Sequence, residues 1–440
     1  MKKLFNKTQT WLECILCGRK KDLLEERKFR CVCGGLYDVK HNLECPLPYV
    51  LKKDFYERLE LHQSISGVWR YKELIMPYLP KRFVVSLSEG NVPIIEAGRN
   101  LEEWVGGDLE LWLILEGMTP TGSFKDFGMT VLISVAKAAG IEAVSCASTG
   151  DTSASAAAYA AAAGMKCVVI LPRGKVTPAQ LAQPLVHGAT VITLPGSFDD
   201  CMKVQRELTE KYGVYPANSL NPARIEGHQA TVFQVAQFFN WDFPDWFVVP
   251  VGNGSNCSSI GKARRLLLDL KMAENNCRIL GCQSLAANPL AESWGRATWK
   301  PQERNSKEFL EYWKMLYAPV AVRETTATAA RIGDPVSRDK VMREIVASNG
   351  RMKTATERDL NEAVSVCGKD GFFVCPQTGI ALAGLREAVK EKTINPGSRV
   401  VVVSTATGLK FTDSAAKNLA KNIIDAKNCK TDTVARIMKI

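Results

Sequence analysis

The segment TPTGSFKDFG, residues 119–128, places one lysine, Lys125, among small and polar residues. A solvated surface turn would account for this composition, because glycine, proline, serine and aspartate all favour turns. A lysine held in a tight loop could instead form a Schiff base with a carbonyl compound, which requires an anchored partner and a rigid support. Both interpretations are open on this segment alone.

A second segment, VVPVGNGSNCSSIGKARRLL, indicates a strand, a turn and a helix. The residues of its turn are Gly252, Asn253, Gly254, Ser255 and Asn256. Backbone N–H groups at a helix N-terminus, together with the helix dipole, bind anions such as phosphate. The segment is neither a P-loop nor GxGxxG, because Cys257 stands at the third glycine and Gly261-Lys262 lacks the rest of its pattern. A phosphate site and a plain capped turn are equally compatible with it.

A third segment, SCASTGDTSASAAAYAAAAG, has the same strand, turn and helix form. The polar residues at the start of its helix are Ser148, Thr149, Asp151, Thr152 and Ser153. Capping requires only one or two such side chains, so the surplus favours further hydrogen bonds to a ligand carboxylate or a ring hydroxyl. For each residue taken alone, capping is the simpler explanation.

Two short cysteine pairs stand near the N-terminus, Cys14-x-x-Cys17 and Cys31-x-Cys33, with thirteen residues between them. Four thiolates in two such pairs form the tetrahedral S4 site of a zinc ribbon. Cys-x-Cys is less diagnostic than Cys-x-x-Cys, so structural zinc and unmetallated thiols in a small β-rich cap are equal alternatives. In either case we expect a structural module, not a catalytic one.

The composition is that of a globular protein of two or three domains, with 440 residues, 46% of them hydrophobic and 23% charged. The net charge of +11 is spread along the chain and interleaved with Glu and Asp. This pattern favours solvated helix faces over a nucleic-acid surface, and it also suits a small anionic substrate.

The beginning of the chain has no uninterrupted apolar run, which argues against a secretory signal. The most apolar stretch, residues 153–172, is interrupted by Gly164 and Lys166 and predicts a packed helix and a buried strand instead of a membrane span. Without an export signal, the fourteen cysteines are expected to be reduced thiols. These features predict a cytoplasmic protein with no membrane partner.

Strands and helices that alternate along the chain must position the polar segments. Buried strands are predicted at 141–148, 166–172, 189–195, 245–252, 278–284 and 398–406. Helices are predicted at 153–163, 177–187, 198–212, 222–239 and 257–271, with a terminal helix and a loose end after residue 413. This alternation indicates an α/β fold with a parallel sheet, whose function lies in loops at the carboxyl ends of the strands. The polar loops 148–155, 252–256 and 404–410 stand at such ends.

In combination, these segments resemble the threonine synthase family, pyridoxal-phosphate enzymes of fold type II, and are most similar to its plant-like branch. TPTGSFKDFG is similar to the family's NPTGSFKDRG, and CASTGDTSAS to CASTGDTSAA. SEGNVPI (88–94) resembles GEGNTPL, NSLNPARIEGHQ (218–229) resembles NSxNxxRxEGQ, and VVVSTATGLKF (401–411) resembles STAHGLKF. IGDPVS (332–337) and CPQTGIAL (375–382) also have close counterparts. The resemblance runs through nearly the whole chain, and its ordered matches are far more specific than any single one.

The resemblance implies a role for each polar segment. Lys125 would bind the pyridoxal 5′-phosphate covalently and later move protons, while residues 252–256 would hold the cofactor phosphate. Asp151 stands where many members have the asparagine that contacts the ring 3′-oxygen, and Thr405 where a threonine bonds the pyridine nitrogen. The implied substrate contacts are Ser148, Thr149 and Thr152 for carboxylate and phosphate, Arg224 for the phosphate, and Lys410 as a further anion contact.

The resemblance also implies an architecture, that of the tryptophan synthase β-like enzymes, with two doubly wound α/β domains. We expect a cysteine ribbon at 1–45, a small α/β domain at 131–230, and a large pyridoxal-phosphate domain made of 46–130 and 231–440. The implied assembly is a homodimer, and the implied reaction converts O-phospho-L-homoserine and water into L-threonine and phosphate. Plant-like relatives can be activated by S-adenosylmethionine, and the sequence locates no site for it.

Four residues depart from the family's pattern, namely Val92, Thr119, Phe127 and Thr407. Thr407 replaces a histidine, which leaves the identity of the substrate open. The alternatives of the same fold are a hydroxyamino-acid dehydratase and a cysteate-synthase-like paralogue that uses phosphoserine and an external nucleophile such as sulfite. A non-enzymatic alternative is a basic binding protein that retains a synthase fold. Release of threonine and phosphate would exclude the first two, and a colourless protein that shifts nucleic acid at physiological salt would support the last.

Overall fold

The structure is a computed structural model of the chain and describes residues 9–43, 47–60, 66–148, 150–174, 178–196, 198–297, 304, 306–413, 423, 424 and 437. The strands of this part are β1 Thr10–Cys14, β2 Lys20–Lys21, β3 Tyr37–His41, β4 Ile94–Glu96, β5 Glu110–Leu115, β6 Ala143–Ala147, β7 Lys166–Pro172, β8 Thr190–Leu194, β9 Tyr215–Pro216, β10 Trp246–Pro250, β11 Arg278–Ser284, β12 Arg351–Ala355 and β13 Arg399–Ser404.

The helices of the same part are α1 Pro48–Glu60, α2 Lys72–Ile75, α3 Arg99–Val105, α4 Lys125–Ala138, α5 Asp151–Ala163, α6 Pro178–Val186, α7 Phe198–Tyr212, α8 Ala223–His228, α9 Ala230–Phe238, α10 Ser255–Asp269, α11 Pro289–Arg296, α12 Lys307–Leu316, α13 Arg338–Ala347, α14 Glu357–Lys369 and α15 Pro376–Lys390.

The strands form three sheets. The large sheet has the order β12-β11-β10-β13-β5-β4 and is parallel except at β4, which pairs antiparallel with β5. The small sheet, β8-β7-β6-β9, is parallel throughout. The third sheet, β2-β1-β3, is antiparallel and carries the cysteine pairs. The predicted α/β fold with parallel sheets is confirmed.

Strand β13 shows why the sheet residues are continuously apolar. Val401 and Val403 belong to one core cluster, whereas Val400 and Val402 belong to a second cluster on the opposite face of the sheet. Successive side chains of a strand point to opposite faces, so a strand covered by helices on both faces favours apolar residues at successive positions. This arrangement explains why short apolar runs in the sequence marked the strands correctly.

The predicted strands and helices lie within two residues of the observed ends, with one correction. The helix predicted at 222–239 is two helices, α8 and α9, separated at Gln229. The helix predicted after residue 413 lies almost wholly outside the described residues. In the described part, no helix is long and apolar enough to cross a membrane. The domain boundaries at 45, 130 and 230 stay predictions, because one core cluster includes residues from all three sheets.

Candidate active site

Lys125 begins α4 at the end of a loop that is closed by its own hydrogen bonds. The Gly122 N–H donates to the Thr119 carbonyl over 2.9 Å. The Asp126 carboxylate accepts from the backbone N–H of Thr121 at 2.8 Å and from its hydroxyl at 2.6 Å. Gly122 has a φ of +80°, which favours glycine. The loop therefore holds Lys125 rigidly, as covalent chemistry at its amine would require.

The loop that follows β13 lies against the lysine loop. The Phe124 N–H donates to the Thr405 carbonyl at 2.9 Å, and the Thr407 N–H donates to the Gly122 carbonyl at 3.1 Å. Because β10, β13 and β5 are parallel neighbours in this order, the loops after their carboxyl ends lie side by side. These loops contain residues 252–256, 405–410 and the segment that leads to Lys125.

Helices α4 and α8 cross closely at two glycines. A Cβ at Gly128 would lie 2.5 Å from the His228 ring, and one at Gly227 would lie 1.8 Å from a carbonyl oxygen of α4. No side chain fits at such distances, so the crossing requires glycine on both helices. Burial lowers the pKa of Lys125, and the crossing brings Arg224 of α8 close enough for its charge to lower that pKa further.

The turn after β10 has the form of an anion cradle. Gly254 has a φ of +87°, and a Cβ there would lie 2.4 Å from Val341 of α13. The backbone N–H groups of residues 336–337 donate to the side-chain and backbone oxygens of Asn253, at 3.3 and 3.0 Å. Asn256 is buried, and neither polar atom of its side chain has a hydrogen-bond partner. The IGDPVS segment thus supports a turn whose amide groups are ready for a ligand.

Lys410 and Asp151 join the two parallel sheets at the site. The Lys410 Nζ lies 2.9 Å from the Asp151 carboxylate, and it donates to the Thr121 carbonyl at 2.9 Å. Asp151 is the first residue of α5, which follows β6 of the small sheet. The ion pair therefore connects the lysine loop of one sheet to the polar helix start of the other.

The remaining residues predicted around α5 occupy the same turn. Thr152 is buried, and Ser148 is partly buried, with its hydroxyl accepting from the Gly150 N–H at 3.4 Å. Thr149 lies outside the described residues. The Ser153 hydroxyl donates to the Gly150 carbonyl at 2.7 Å, a local bond to the backbone within the first turn of α5.

Arg224 is a buried cation with few partners. One terminal nitrogen donates to the Ala217 carbonyl at 3.3 Å, while Nε and Nη2 have no partner. Burial lowers the pKa of the Arg224 guanidinium to about 10. An unsatisfied buried charge is costly, so this side chain is arranged for an anionic ligand.

Thr405 lies in a small polar cluster that the sequence did not predict. Its hydroxyl is 3.5 Å from the Cys375 sulfur, which lies 3.2 Å from the Thr378 hydroxyl. The Thr378 hydroxyl also donates to that of Ser404 at 3.3 Å. Cys375 and Thr378 belong to the CPQTGIAL segment, whose resemblance to the family was the available signal.

Glu116 is the second site residue that sequence reasoning missed. Its side chain is buried, Oε1 accepts from the Thr231 hydroxyl, and Oε2 has no partner. Burial raises the pKa of the Glu116 carboxyl to about 8. Burial also lowers the pKa of Lys125 to about 7, and the nearby charge of Arg224 adds to that effect. The amine is thus available in its neutral, nucleophilic form near neutral pH.

His228 is a third site residue that sequence reasoning missed. The available signal lay in the segment 218–229, where the family pattern ends in EGQ and this chain has EGH. Its buried ring lies 5.0 Å from the Phe124 ring, and the Lys125 Nζ lies 3.4 Å from the centre of the latter. Burial holds the pKa of His228 well below its usual range, so the imidazole is neutral.

Two of the noted departures have local explanations. The Thr119 hydroxyl donates to the carbonyls of Glu116 and Ser123, at 3.1 and 2.9 Å, and so fastens the lysine loop. The Thr407 hydroxyl accepts from the Leu409 N–H at 3.2 Å and caps a short helical turn. The cysteine pairs belong to another part of the chain, at the end of β1 and in the turns between the strands of the β2-β1-β3 sheet.

The site therefore combines an amine of lowered pKa, an uncharged turn at the start of α10 and two cations. Its buried unpaired atoms, on Asn256 and Arg224, call for ligands that accept and donate hydrogen bonds. An aldehyde coenzyme with a phosphate group fits this set, because the amine can hold the aldehyde carbon and the turn can hold the phosphate.

Comparison with known proteins identifies relatives of the chain. The family model for pyridoxal-phosphate dependent enzymes matches residues 85–406. The chain is 36% identical to a threonine synthase of Methanocaldococcus jannaschii, over 97% of this chain and 98% of the relative. It is also 36% identical to the chloroplastic threonine synthase 2 of Arabidopsis thaliana, over 91% of this chain and 76% of that protein. The solved structure of threonine synthase from Escherichia coli has a similar fold, with a TM-score of 0.67 and 18% identity over 97% of this chain and 94% of that one.

Proposed function

Since the chain belongs to the pyridoxal-phosphate dependent enzymes and, among them, to the threonine synthase family, we propose that it converts O-phospho-L-homoserine and water into L-threonine and phosphate. The observation that carries the choice of substrate is the presence of two separate anion sites. The turn after β10 is uncharged and suits the phosphate of the cofactor. Arg224, whose Nε and Nη2 have no partner, then stays available for a second phosphate, that of the substrate.

Four parts of the chain would hold the cofactor. Lys125 Nζ would bind its aldehyde carbon, and residues 252–256 would bind its phosphate. Asp151 would face the ring 3′-oxygen, and the Thr405 hydroxyl would face the pyridine nitrogen. When bound, pyridoxal phosphate withdraws electrons from the substrate Cα. A hydroxyl, unlike a carboxylate, does not hold the pyridine nitrogen protonated, so Thr405 would moderate this withdrawal.

The remaining site residues would bind and orient the substrate. Arg224 has unpaired N–H groups suited to phosphate oxygens, and Lys410 adds a positive charge. The substrate carboxylate would lie at the start of α5, against the hydroxyls of Ser148, Thr149 and Thr152.

Lys125 would carry the protons. A pKa of about 7 lets its amine accept a proton from Cα, and later one from Cβ, near neutral pH. The phosphate then leaves from Cγ, Cγ gains a proton, water adds at Cβ, and a proton returns to Cα. Phe124 and His228 pack beneath the amine as neutral groups, which limits other charge near the proton in transfer.

The test is to incubate the cofactor-loaded protein with O-phospho-L-homoserine and measure L-threonine and phosphate separately. Equal amounts of both products are expected. Release of an oxo acid and ammonia from threonine, without phosphate chemistry, would instead support a dehydratase.

One observation favours a second candidate, the phosphoserine-using enzyme. Thr407 replaces the histidine of related sequences, and its hydroxyl is already engaged with the Leu409 N–H. A shorter phosphorylated substrate would use the same cations. Consumption of phosphoserine with sulfite, and no reaction with O-phospho-L-homoserine, would establish this alternative.

We also propose that the protein is a cytoplasmic homodimer. The family resemblance supports the dimer, and the described cysteines support a reducing compartment because all of them are unpaired thiols. Light scattering of the purified protein would test the first statement, and fractionation of cells would test the second. A monomer, or a protein found outside the cytoplasm, would contradict them.

A further inference from the structure

The described thiols near the N-terminus converge on one point. We define the cysteine cluster as Cys14, Cys17, Cys31 and Cys33. The sulfur of Cys33 lies 3.5 Å from that of Cys14 and 3.4 Å from that of Cys17, while Cys17 and Cys31 are 3.7 Å apart. All four sulfurs lie within 4.8 Å of one another. A tetrahedral zinc site with Zn–S bonds of about 2.3 Å places its sulfurs about 3.8 Å apart, so the cluster has the dimensions of a zinc site.

The backbone on both sides of the cluster is shaped to direct the thiols inward. The Gly18 N–H donates to the Cys14 carbonyl at 3.0 Å, and the Gly34 N–H donates to the Cys31 carbonyl at 2.8 Å. Gly18 and Gly34 have φ angles of +69° and +86°. A Cβ at Gly35 would lie only 2.6 Å from the Cys14 sulfur. Each cysteine pair is therefore followed by a turn whose positive φ favours glycine, and at Gly35 a side chain would also obstruct the Cys14 thiol.

The donor set selects the kind of metal. Four thiolates without oxygen or nitrogen donors favour zinc over magnesium or calcium. Among the described residues, this is the one group of three or more cysteine, histidine or acidic side chains arranged to hold a metal ion.

The sheet that carries the cluster is fastened to the helices behind the active site. Asp38 of β3 is buried and lies 2.6 Å from the Lys340 Nζ and 3.0 Å from the Arg343 guanidinium. Lys340 also donates to the Tyr37 carbonyl at 2.7 Å. Both cations belong to α13, whose first turn packs against the glycine turn that precedes α10.

A second fastening reaches α8 and α10. The Lys262 Nζ of α10 donates to the Val39 carbonyl of β3 at 2.7 Å and also pairs with Glu226 of α8. His41, the last residue of β3, lies 3.5 Å from the same carboxylate. Glu226 is two positions from Arg224 on the same helix. The ribbon thus contacts the helix that carries Arg224 and the helix that begins at the cofactor-phosphate turn.

We propose that the cysteine cluster binds a structural zinc ion, and that this ion keeps the ribbon docked so that α8, α10 and α13 hold the cofactor site in place. The first half of this statement is independent of the proposed function. The second half rests on it, because it assigns the turn after β10 to the cofactor phosphate.

The metal is tested on the full-length protein by elemental analysis after gel filtration. About one zinc ion per chain is expected. The variants Cys17→Ser and Cys33→Ser should lose it, whereas Cys167→Ala, which removes a buried thiol of β7, should keep it. Protein loaded with cobalt should show charge-transfer absorbance of thiolate ligands. Iron in place of zinc, disulfides between the cysteines, or no bound metal would each overturn the zinc site.

The coupling to the cofactor site is tested by titrating cofactor-free protein with pyridoxal phosphate and following absorbance. Removal of zinc by a chelator should raise the dissociation constant about tenfold, a coupling of ordinary size. Asp38→Asn should weaken cofactor binding in the same direction while the zinc content stays unchanged. Glu13→Gln is the matched control, because Glu13 is the β1 residue paired with Asp38 and contacts only residues of the ribbon in its described bonds.

The outcomes separate the two halves and the proposed function. Unchanged cofactor affinity in both zinc-free protein and Asp38→Asn would overturn the coupling and leave the metal site intact. If the zinc-free protein unfolds, the coupling is tested by the cofactor affinity of Asp38→Asn alone, because this variant keeps the metal. A protein that binds zinc and cofactor with the expected coupling, yet forms no threonine, would contradict the proposed function only.

Discussion

Two parts of the active site are suited to anions, and they achieve this by opposite means. The turn after β10 contains no charged residue and offers backbone N–H groups at the start of α10. The region beyond Lys125 instead offers Arg224, a buried guanidinium whose Nε and Nη2 have no partner, and Lys410. The first site needs no buried charge, whereas the second contains one that is unsatisfied.

This difference agrees with the residence time that the proposed reaction predicts for the ligand of each site. A phosphate that stays in place can be held by a neutral cradle, because the helix dipole and several amide groups suffice and no cation has to be desolvated. A substrate phosphate must bind and leave in every cycle. A buried cation that is unsatisfied until an anion arrives gives selectivity for a charged ligand.

Lys125 is the residue that would contact the ligands of both anion sites, and removal of its amine has the largest expected effect. Lys125→Ala should abolish the visible absorbance of bound cofactor and lower the rate of threonine formation by at least about 10³-fold. Borohydride reduction and peptide mapping of the parent protein should locate the pyridoxyl group on Lys125. Lys137→Ala, at the other end of α4, is the control and should keep both properties. A pyridoxyl group on any other residue would refute the assignment.

Arg224→Ala should disrupt the second anion site, the one that contains Arg224 and Lys410. Loss of a buried charge that pairs with a ligand costs about 2–5 kcal/mol, so the KM for the phosphorylated substrate should rise about a hundredfold or more, with cofactor content unchanged. Arg224→Lys should recover part of this loss, because it keeps the charge and lacks the forked donors.

Arg264 provides the matched control for this change. It is also a buried arginine, but its N–H groups already bond Asn276, Cys277 and Ala347. Arg264→Ala should lower the melting temperature and leave the KM for the phosphorylated substrate unchanged. If Arg224→Ala also changed only stability, the assignment of a second anion site to α8 would be wrong.

Gly254→Ala should disrupt the uncharged anion-binding turn after β10. The added methyl would meet Val341 at 2.4 Å, and the residue would keep a φ of +87°, which costs about 1–2 kcal/mol for a side-chain-bearing residue. The dissociation constant of the cofactor should rise about tenfold or more, with the KM of the substrate unchanged in fully loaded protein. Gly140→Ala has a similar φ of +69° but open space around the new methyl, and it should leave cofactor affinity unaltered.

The smallest expected effect concerns pH. Only the neutral amine of Lys125 can attack an aldehyde, and its pKa is lowered to about 7. Cofactor capture by the cofactor-free protein should therefore be about tenfold faster at about pH 8 than at about pH 6. The charge of Asp151 raises the pKa of Lys125, so Asp151→Asn should move the midpoint to lower pH. A midpoint that moves upward, or a rate that falls with pH, would contradict this account.

Local patterns were sufficient for the elements of the fold. The valines within 398–406 predicted β13 because a strand covered on both faces favours apolar side chains at successive positions. The lysine loop was recognisable because Gly122 and the Thr–Asp pair around it close a turn through bonds between near neighbours in sequence. Contacts of this kind depend on residues a few positions apart, and the sequence displays them directly.

The unpredicted site residues depend on burial and on distant contacts. Glu116 looks like an ordinary strand-end carboxylate until the fold buries it and gives it Thr231, more than a hundred positions away, as a partner. His228 lies at the close crossing of α4 and α8, which no local pattern describes. Residue type alone could not reveal the shifted pKa of either group, because desolvation is a property of the packed protein.

What the sequence alone determined is therefore the list of reactive parts: a looped lysine, a glycine turn ahead of a helix, a polar helix start and two cysteine pairs. The tertiary structure decided which of these parts share a site and in what electrostatic state. It brought Arg224 and Lys410 close to the amine, left Nε and Nη2 of Arg224 without a partner, and fastened the cysteine sheet to the helices behind the turn after β10. The physical reason is that loop closure and capping act between neighbours in sequence, whereas burial and charge act between neighbours in space.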